Sequence, residues 1–239
     1  TIMKKYYFLL LLSFGLIGCS SLELEAVPSS EQEAQRILSL GLSHEENLIE
    51  AKKLRSDHLV TVVTLQLTNA RDEKIQLELD QVEADQYASE VMIINDGYKF
   101  KSVQISETLN NSVLDTETDS IKYYIEGIKD TNTGNVEHKL HLSLFYNSKK
   151  SRDYVSAIFC DQWNNCDENT LEVNPLSVIA SKCTKNSCQY NEVMDINLSD
   201  TLLQTTLEKG FSMRLKSKNK TNQIKLSKAY LMGYLDIAR

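Results

Sequence analysis

The sequence predicts an α+β fold: an antiparallel β-sheet core with an N-terminal helical pair and two C-terminal helices. Three observations carry that expectation. Apolar residues alternate between 121 and 146 and again between 188 and 198, the period of strands with one buried face. Between 31 and 55 they recur every three to four residues, behind Ser/Glu pairs that read as capping boxes. The helical spacing returns after Ser199 and again over 228–238. A hydrophobic fraction of 41% in 239 residues supports a packed core, and 2 prolines with 8 glycines exclude a collagen-like or proline-rich stalk.

Each element follows in chain order. Ser30 with Glu33 forms the first capping box, with Ala34, Ile37 and Leu38 behind it and Gly41 as the stop. Ser43 with Glu46 forms the second, ahead of Leu48, Ile49, Ala51 and Leu54. From Asp57 the period changes to two. Leu59, Thr61, Val63, Leu65 and Leu67 predict a central strand, Asn69–Asp72 a turn, and Ile75, Leu77 and Leu79 a strand with one wet face. Val91–Ile94 reads as a buried run stopped by the turn Asn95-Asp-Gly97. The stretch 106–120 reads as a solvated acidic loop, since its carboxylates lack the glycine and final glutamate of an EF-hand.

The hairpin 121–146 is the clearest element. Ile121, Tyr123 and Ile125 alternate in one strand, and Leu140, Leu142, Leu144 and Tyr146 in the other, around the loop Asp130–Asn135. His138 and His141 point to opposite faces, so they cannot share an ion, and both read as unpaired surface or edge residues. Tyr154–Cys160 is a strand leading into a loop, Cys160–Cys166, that displays Trp163, the only tryptophan. In the strand from Cys188 to Leu198, Glu192 interrupts an apolar row. A carboxylate buried there needs a partner, with Lys182, Arg214 or a backbone N–H of the 183–188 loop as candidates. Ser199 caps a helix through Lys209 that Gly210 ends. Phe211, Met213 and Leu215 form a strand, 216–222 a basic turn, and Ile224 and Leu226 the return strand. Tyr230, Leu231, Tyr234 and Leu235 then mark a C-terminal helix.

The front of the chain has a different grammar. Lys4 and Lys5 precede an apolar run, Tyr6–Ile17, that is too short to span a bilayer and reads as a secretory signal. Its end, Leu16-Ile17-Gly18-Cys19, resembles the lipobox of bacterial lipoproteins. The resemblance implies diacylation of Cys19, cleavage after Gly18 and anchoring by acyl chains, at about 0.8 kcal/mol per buried methylene. Ser20, where an aspartate would favour retention in the inner membrane, points to the outer membrane, with the body facing the periplasm or the surface. The chain then divides into a signal (1–18), a lipidated tether (19–29), a helical lead-in (30–56) and a β-rich, disulfide-containing domain (57–239).

With Cys19 lipidated, Cys160, Cys166, Cys183 and Cys188 remain, an even set in an exported chain and hence two disulfides. Of the three connectivities the local pairs close the shortest loops. The gaps of five and four residues fit a four-thiolate zinc site less well. The nucleophile-elbow, phosphate-loop, His-Glu-x-x-His and Cys-x-x-Cys patterns are all absent, so no cofactor or metal is expected. Removing Lys4 and Lys5 takes the net charge from −7 to −9, which disfavours nucleic acid.

The expected role is non-catalytic: an interaction or structural module held at the membrane by its lipid, with an envelope protein as partner. Trp163 and the turn carrying Lys216, Lys218 and Lys220 are the expected contacts. The alternative is a small-ligand-binding or surface-exposed, host- or partner-binding lipoprotein. A hydrolase pairing Glu192 with Asp161 or Asp195 ranks below both, since Asp195 faces away from Glu192 on the same strand. Cys19→Ala is predicted to leave an unprocessed precursor that takes up no palmitate label. Normal labelling of that variant would end the lipoprotein reading.

Overall fold

Ser29, rather than Ser30, starts the first helix. Its hydroxyl accepts from the Gln32 N–H at 3.2 Å, and the Gln32 side-chain oxygen Oε1 accepts from the Ser29 N–H at 2.9 Å, so the capping box lies one residue earlier than the sequence suggests. Helix α1 (Ser30–Leu38) follows, then α2 (His44–Ala51) with the expected Ser43–Glu46 box. The computed structural model describes residues 28–109, 119–160, 166–218 and 220–238. These divide into two units, the first ending at Arg71 and the second beginning at Asp72.

The expected strands at 59–67 and 75–79 do not form. Residues Asp57–Ser89 are one helix, α3. Val63 and Leu67, four apart, are fully buried against Ala34, Ile37 and Ala51 in the first unit, with Leu59 beside them. Alternating apolar residues at 59, 63 and 67 satisfy both periods, and burial on one stripe decided for the helix. The helix holds no glycine or proline, and Asn69–Asp72 continues it rather than turning. Thr61 and Thr68 return their hydroxyls to the carbonyls of Asp57 and Thr64, both at 2.9 Å, which accommodates them within the helix.

The second unit is built on an antiparallel sheet. Its strands are β1 (Met92–Ile94), β2 (Lys99–Lys101), β3 (Ile105–Leu109), β4 (Asp119–Lys129), β5 (Val136–Ser148), β6 (Ser156–Cys160), β7 (Cys166–Ser181), β8 (Cys188–Leu198), β9 (Phe211–Lys216) and β10 (Thr221–Leu226). The spatial order is β1-β2-β4-β5-β8-β7-β6-β9-β10, with β3 also on β4. Helix α4 (Asp200–Thr206), capped by Ser199, and helix α5 (Lys228–Ile237), capped by Ser227, complete the unit. Gly210 follows α4 at φ 69°, the left-handed conformation its place as a helix stop requires.

Two expectations at the sheet's start need correction. Met92, Ile93 and Ile94 are exposed, because β1 is an edge strand with one neighbour and no layer over it. Of the stretch 106–120, read as loop, 106–109 pair with β4 as part of β3 and 119–120 open β4 itself, while 110–118 lie outside the described residues. The turn at Asn95 and Asp96 is as expected, with φ of 54° and 56°.

The sheet curls. Tyr123 on β4 donates to the Lys225 carbonyl on β10 at 2.8 Å, although the two strands lie far apart in the order. Its inner face holds Ile121, Ile125, Leu140, Leu142, Leu144 and Ile196, and against them lie Tyr230, Leu231, Tyr234 and Leu235 of α5. Helix α5 is thus a core element. Tyr230 reaches the Ser102 hydroxyl at 2.6 Å, and Tyr234 reaches Nδ1 of His138 at 2.8 Å. On its other side α5 meets α3. A Cβ added at Gly233 would overlap the Ala84 carbonyl oxygen and stand 2.7 Å from Tyr87 Cβ, so the two backbones touch only through a glycine. Gly233→Ala is therefore predicted to cost about 1–3 kcal/mol by overpacking. A urea midpoint within error of the parent would show that the helices can separate freely.

Candidate functional site

Sequence reasoning pointed to Glu192, and the strand pattern placed it correctly: it is 2% exposed on the inner face of β8. Its partners are none of those expected. One carboxylate oxygen accepts from the backbone N–H groups of Arg152 at 2.7 Å and Asp153 at 3.2 Å, and from the Tyr146 hydroxyl. Asp153 adopts φ 54°, which turns two consecutive N–H groups toward one anion. Burial, and then the bond to Glu192, push the Tyr146 hydroxyl well above its ordinary pKa, so it stays a donor.

The Arg152 side chain leaves in another direction. Its guanidinium lies 3.9 Å over the Tyr146 ring and grips Asp119 through two bonds of 2.6 and 2.9 Å. Asp119 also accepts from the Asn222 amide at 3.1 Å, and Asn222 accepts from the Tyr154 hydroxyl. Burial raises Tyr154 to about 12. The sequence reading missed Asp119 and Asn222, although each carried a signal. Asp119 is in phase with Ile121, Tyr123 and Ile125, and Asn222 with Ile224 and Leu226. Arg152, in an irregular connection, carried none.

The polar atoms of this network face each other, and three cavities of this unit lie elsewhere, against α3 or the α3–α5 contact. Asp195, the suggested companion of Glu192, sits on the outer face and binds Nδ1 of His141 at 2.6 Å. The histidines are therefore not unpaired surface residues. His138 is 3% exposed and held by Tyr234, and burial lowers its pKa against the opposing pull of Asp200. His141 also stacks on Tyr124, ring centres 4.7 Å apart, in an outer-face row that Lys101 extends.

The cysteines form the local pairs, Cys160–Cys166 and Cys183–Cys188, which removes the four-thiolate zinc alternative. Cys19, Trp163 and Asp161 lie outside the described residues. Lys216 ends β9, and Lys218 and Lys220 belong to the β9–β10 turn, closed by Ser217, whose N–H and hydroxyl donate to the Lys220 carbonyl at 2.9 and 3.0 Å. Among the described residues no group of three His, Cys, Asp or Glu side chains is placed to hold a metal. None of the described helices is long and apolar enough to cross a membrane.

A feature the sequence did not reveal is the second half of β7. Residues up to Glu172 are flanked by β6, but the ladder ends where Ser156 pairs Glu172 and Lys216. Beyond that row, among the described residues, β7 pairs only β8. Leu176, Val178 and Ile179 are 55%, 47% and 56% exposed, so both faces and one edge are open. The chain entering β6 leans away, since the Val155 N–H binds the Lys216 carbonyl at 3.1 Å and Tyr154 reaches Asn222. The opening is bounded by β7 on one side and by the basic β9–β10 turn on the other.

No family model, characterised protein or solved structure matches this chain. The geometry must therefore carry the functional reading.

Removing one partner of a buried ion pair strands the other, so Arg152→Ala is predicted to destabilise by about 3–5 kcal/mol. Glu192→Gln, which loses charge-assisted bonds to two N–H groups, is predicted to cost about 1.5–3 kcal/mol. Chemical denaturation measures both, and losses under about 1 kcal/mol would mean that the network is not buried in solution.

Proposed function

We propose that the protein is a cell-envelope lipoprotein, held at a membrane by Cys19 acylation, whose body is a non-catalytic interaction module. Its partner is an extended segment of another envelope protein that adds as a strand to β7. The observation that carries this reading is the edge over 177–181, which no other described strand pairs. It is apolar on both faces and lacks the lysines and inward charges with which exposed edges are usually guarded. Pro175 and the bulge at Leu176 blunt the edge only at its start. Strand addition supplies affinity through main-chain bonds and specificity through alternate side chains.

Two further features favour it. The Cys183–Cys188 disulfide closes the β7–β8 tip, which limits the ordering cost of docking. Lys216, Lys218 and Lys220 flank the opening, so a segment with acidic side chains is the complementary visitor on an otherwise acidic protein. Trp163 on the Cys160–Cys166 loop is a second proposed contact. The commitment of Glu192 to backbone N–H groups weighs against the hydrolase reading. The lipobox with Ser20 favours the outer membrane, body toward the periplasm or surface.

The test is a photo-crosslinking residue at Ile179 in intact cells. A discrete adduct with one envelope protein is expected, and Leu176→Asp with Ser177→Pro should abolish it in a protein that keeps the parental circular dichroism. An absent adduct, or one indifferent to those changes, would overturn the reading.

A further inference from the structure

Helix α3 carries an apolar stripe that the second unit leaves uncovered. Contacts with α5 fix which side of the helix faces the body. Ala84 is buried against Gly233, Tyr87 stands edge-on to Tyr230, and Asp80 pairs with Lys228 at 3.1 Å. Ile75, Leu79 and Val82, spaced i, i+4 and i+7, therefore fall on the opposite side. They are 47%, 57% and 69% exposed, and residues 72–79 are exposed on every side of the helix. The helix is held straight along this stretch, since the side-chain amides of Gln76 and Gln81 donate to Asp80 and Asp85, one turn on, at 2.8 and 2.7 Å. A partner therefore meets a surface that is already ordered.

Charge identifies that partner. From Asp72 to Ser89 the helix has six carboxylates and one cation, Lys74. The helical turn places Asp72 and Glu83 along one border of the stripe and Glu78 and Asp85 along the other. An apolar stripe between two acidic rims is the complement of a helix whose apolar stripe lies between basic rims. The same segment of a second copy would set carboxylates against carboxylates, and anionic lipid headgroups would do the same.

We propose that the outer side of α3 over 72–85 binds a cationic amphipathic helix of another protein. The two helices pack as a short zipper. Apolar side chains of the visitor lie against Ile75, Leu79 and Val82, and its lysines or arginines lie beside Glu78, Glu83 and Asp85. This surface is independent of the β7 edge. One takes a basic helix and the other an extended segment with acidic side chains, so they select visitors of opposite charge and different backbone form.

The experiment titrates the full-length protein into three fluorescein-labelled peptides, read by fluorescence anisotropy: the leucine–lysine helix LKKLLKLLKKLLKL, its glutamate counterpart LEELLELLEELLEL and the strand-forming LKLKLKLKLKLKLK. Saturable binding of the first is expected, with the other two weaker by about tenfold or more. Leu79→Gln with Val82→Gln, and separately Glu78→Gln with Asp85→Asn, should each weaken it by about tenfold. Leu77→Gln, on the body-facing side of the same helix, should leave it unchanged. So should Leu176→Asp with Ser177→Pro, which keeps failure at β7 distinguishable from failure here. Equal binding of the glutamate or strand-forming peptide would overturn the proposal, as would indifference to Leu79→Gln with Val82→Gln in a protein with parental circular dichroism. Sedimentation of the protein alone as a dimer that this double substitution dissociates, without peptide binding, would also overturn it and assign the stripe to a second copy.

Discussion

Where the chain leaves β5 and crosses to β6, two consecutive N–H groups and a guanidinium must enter the inner side of the sheet. Each would be costly there alone. Glu192 accepts the two N–H groups and Asp119 takes the guanidinium, while Tyr146 serves both, through its hydroxyl and its ring. Asn222 then connects Asp119 to β10. One short connection thus ties the neighbouring strands β4, β5 and β8 to β10, which the sheet order keeps apart from them. A buried ion pair adds little net stability over well-packed apolar groups. What this one supplies is direction, since it fixes where the crossing enters and how far the sheet curls.

The open edge of β7 follows from the same constraint. The crossing delivers Tyr154 toward Asn222 and Val155 toward the Lys216 carbonyl, both on the β9–β10 side. Strand β6 therefore begins only at Ser156, and β7 continues past it without a neighbour on that side. Extending β6 backward to cover β7 would pull Tyr154 out of the core and away from Asn222. The exposed apolar edge is a cost of closing the polar network.

What was legible in the sequence had a single dominant signal. The 121–146 hairpin alternates cleanly around an aspartate–glycine loop, and α4 and α5 follow serine caps. Glu192 stood out because it broke an apolar row. Its partners were not legible, because they are backbone N–H groups aimed by the left-handed Asp153, and backbone donors leave no mark on composition. The error at 57–79 has the opposite cause. There the spacing fitted two periods at once, and only tertiary burial of Val63 and Leu67 separated them. The absence of glycine and proline across 57–89 was the signal for one long helix. His138 read as surface because histidine is polar. Its phase, shared with Leu140 and Leu142, was the better guide.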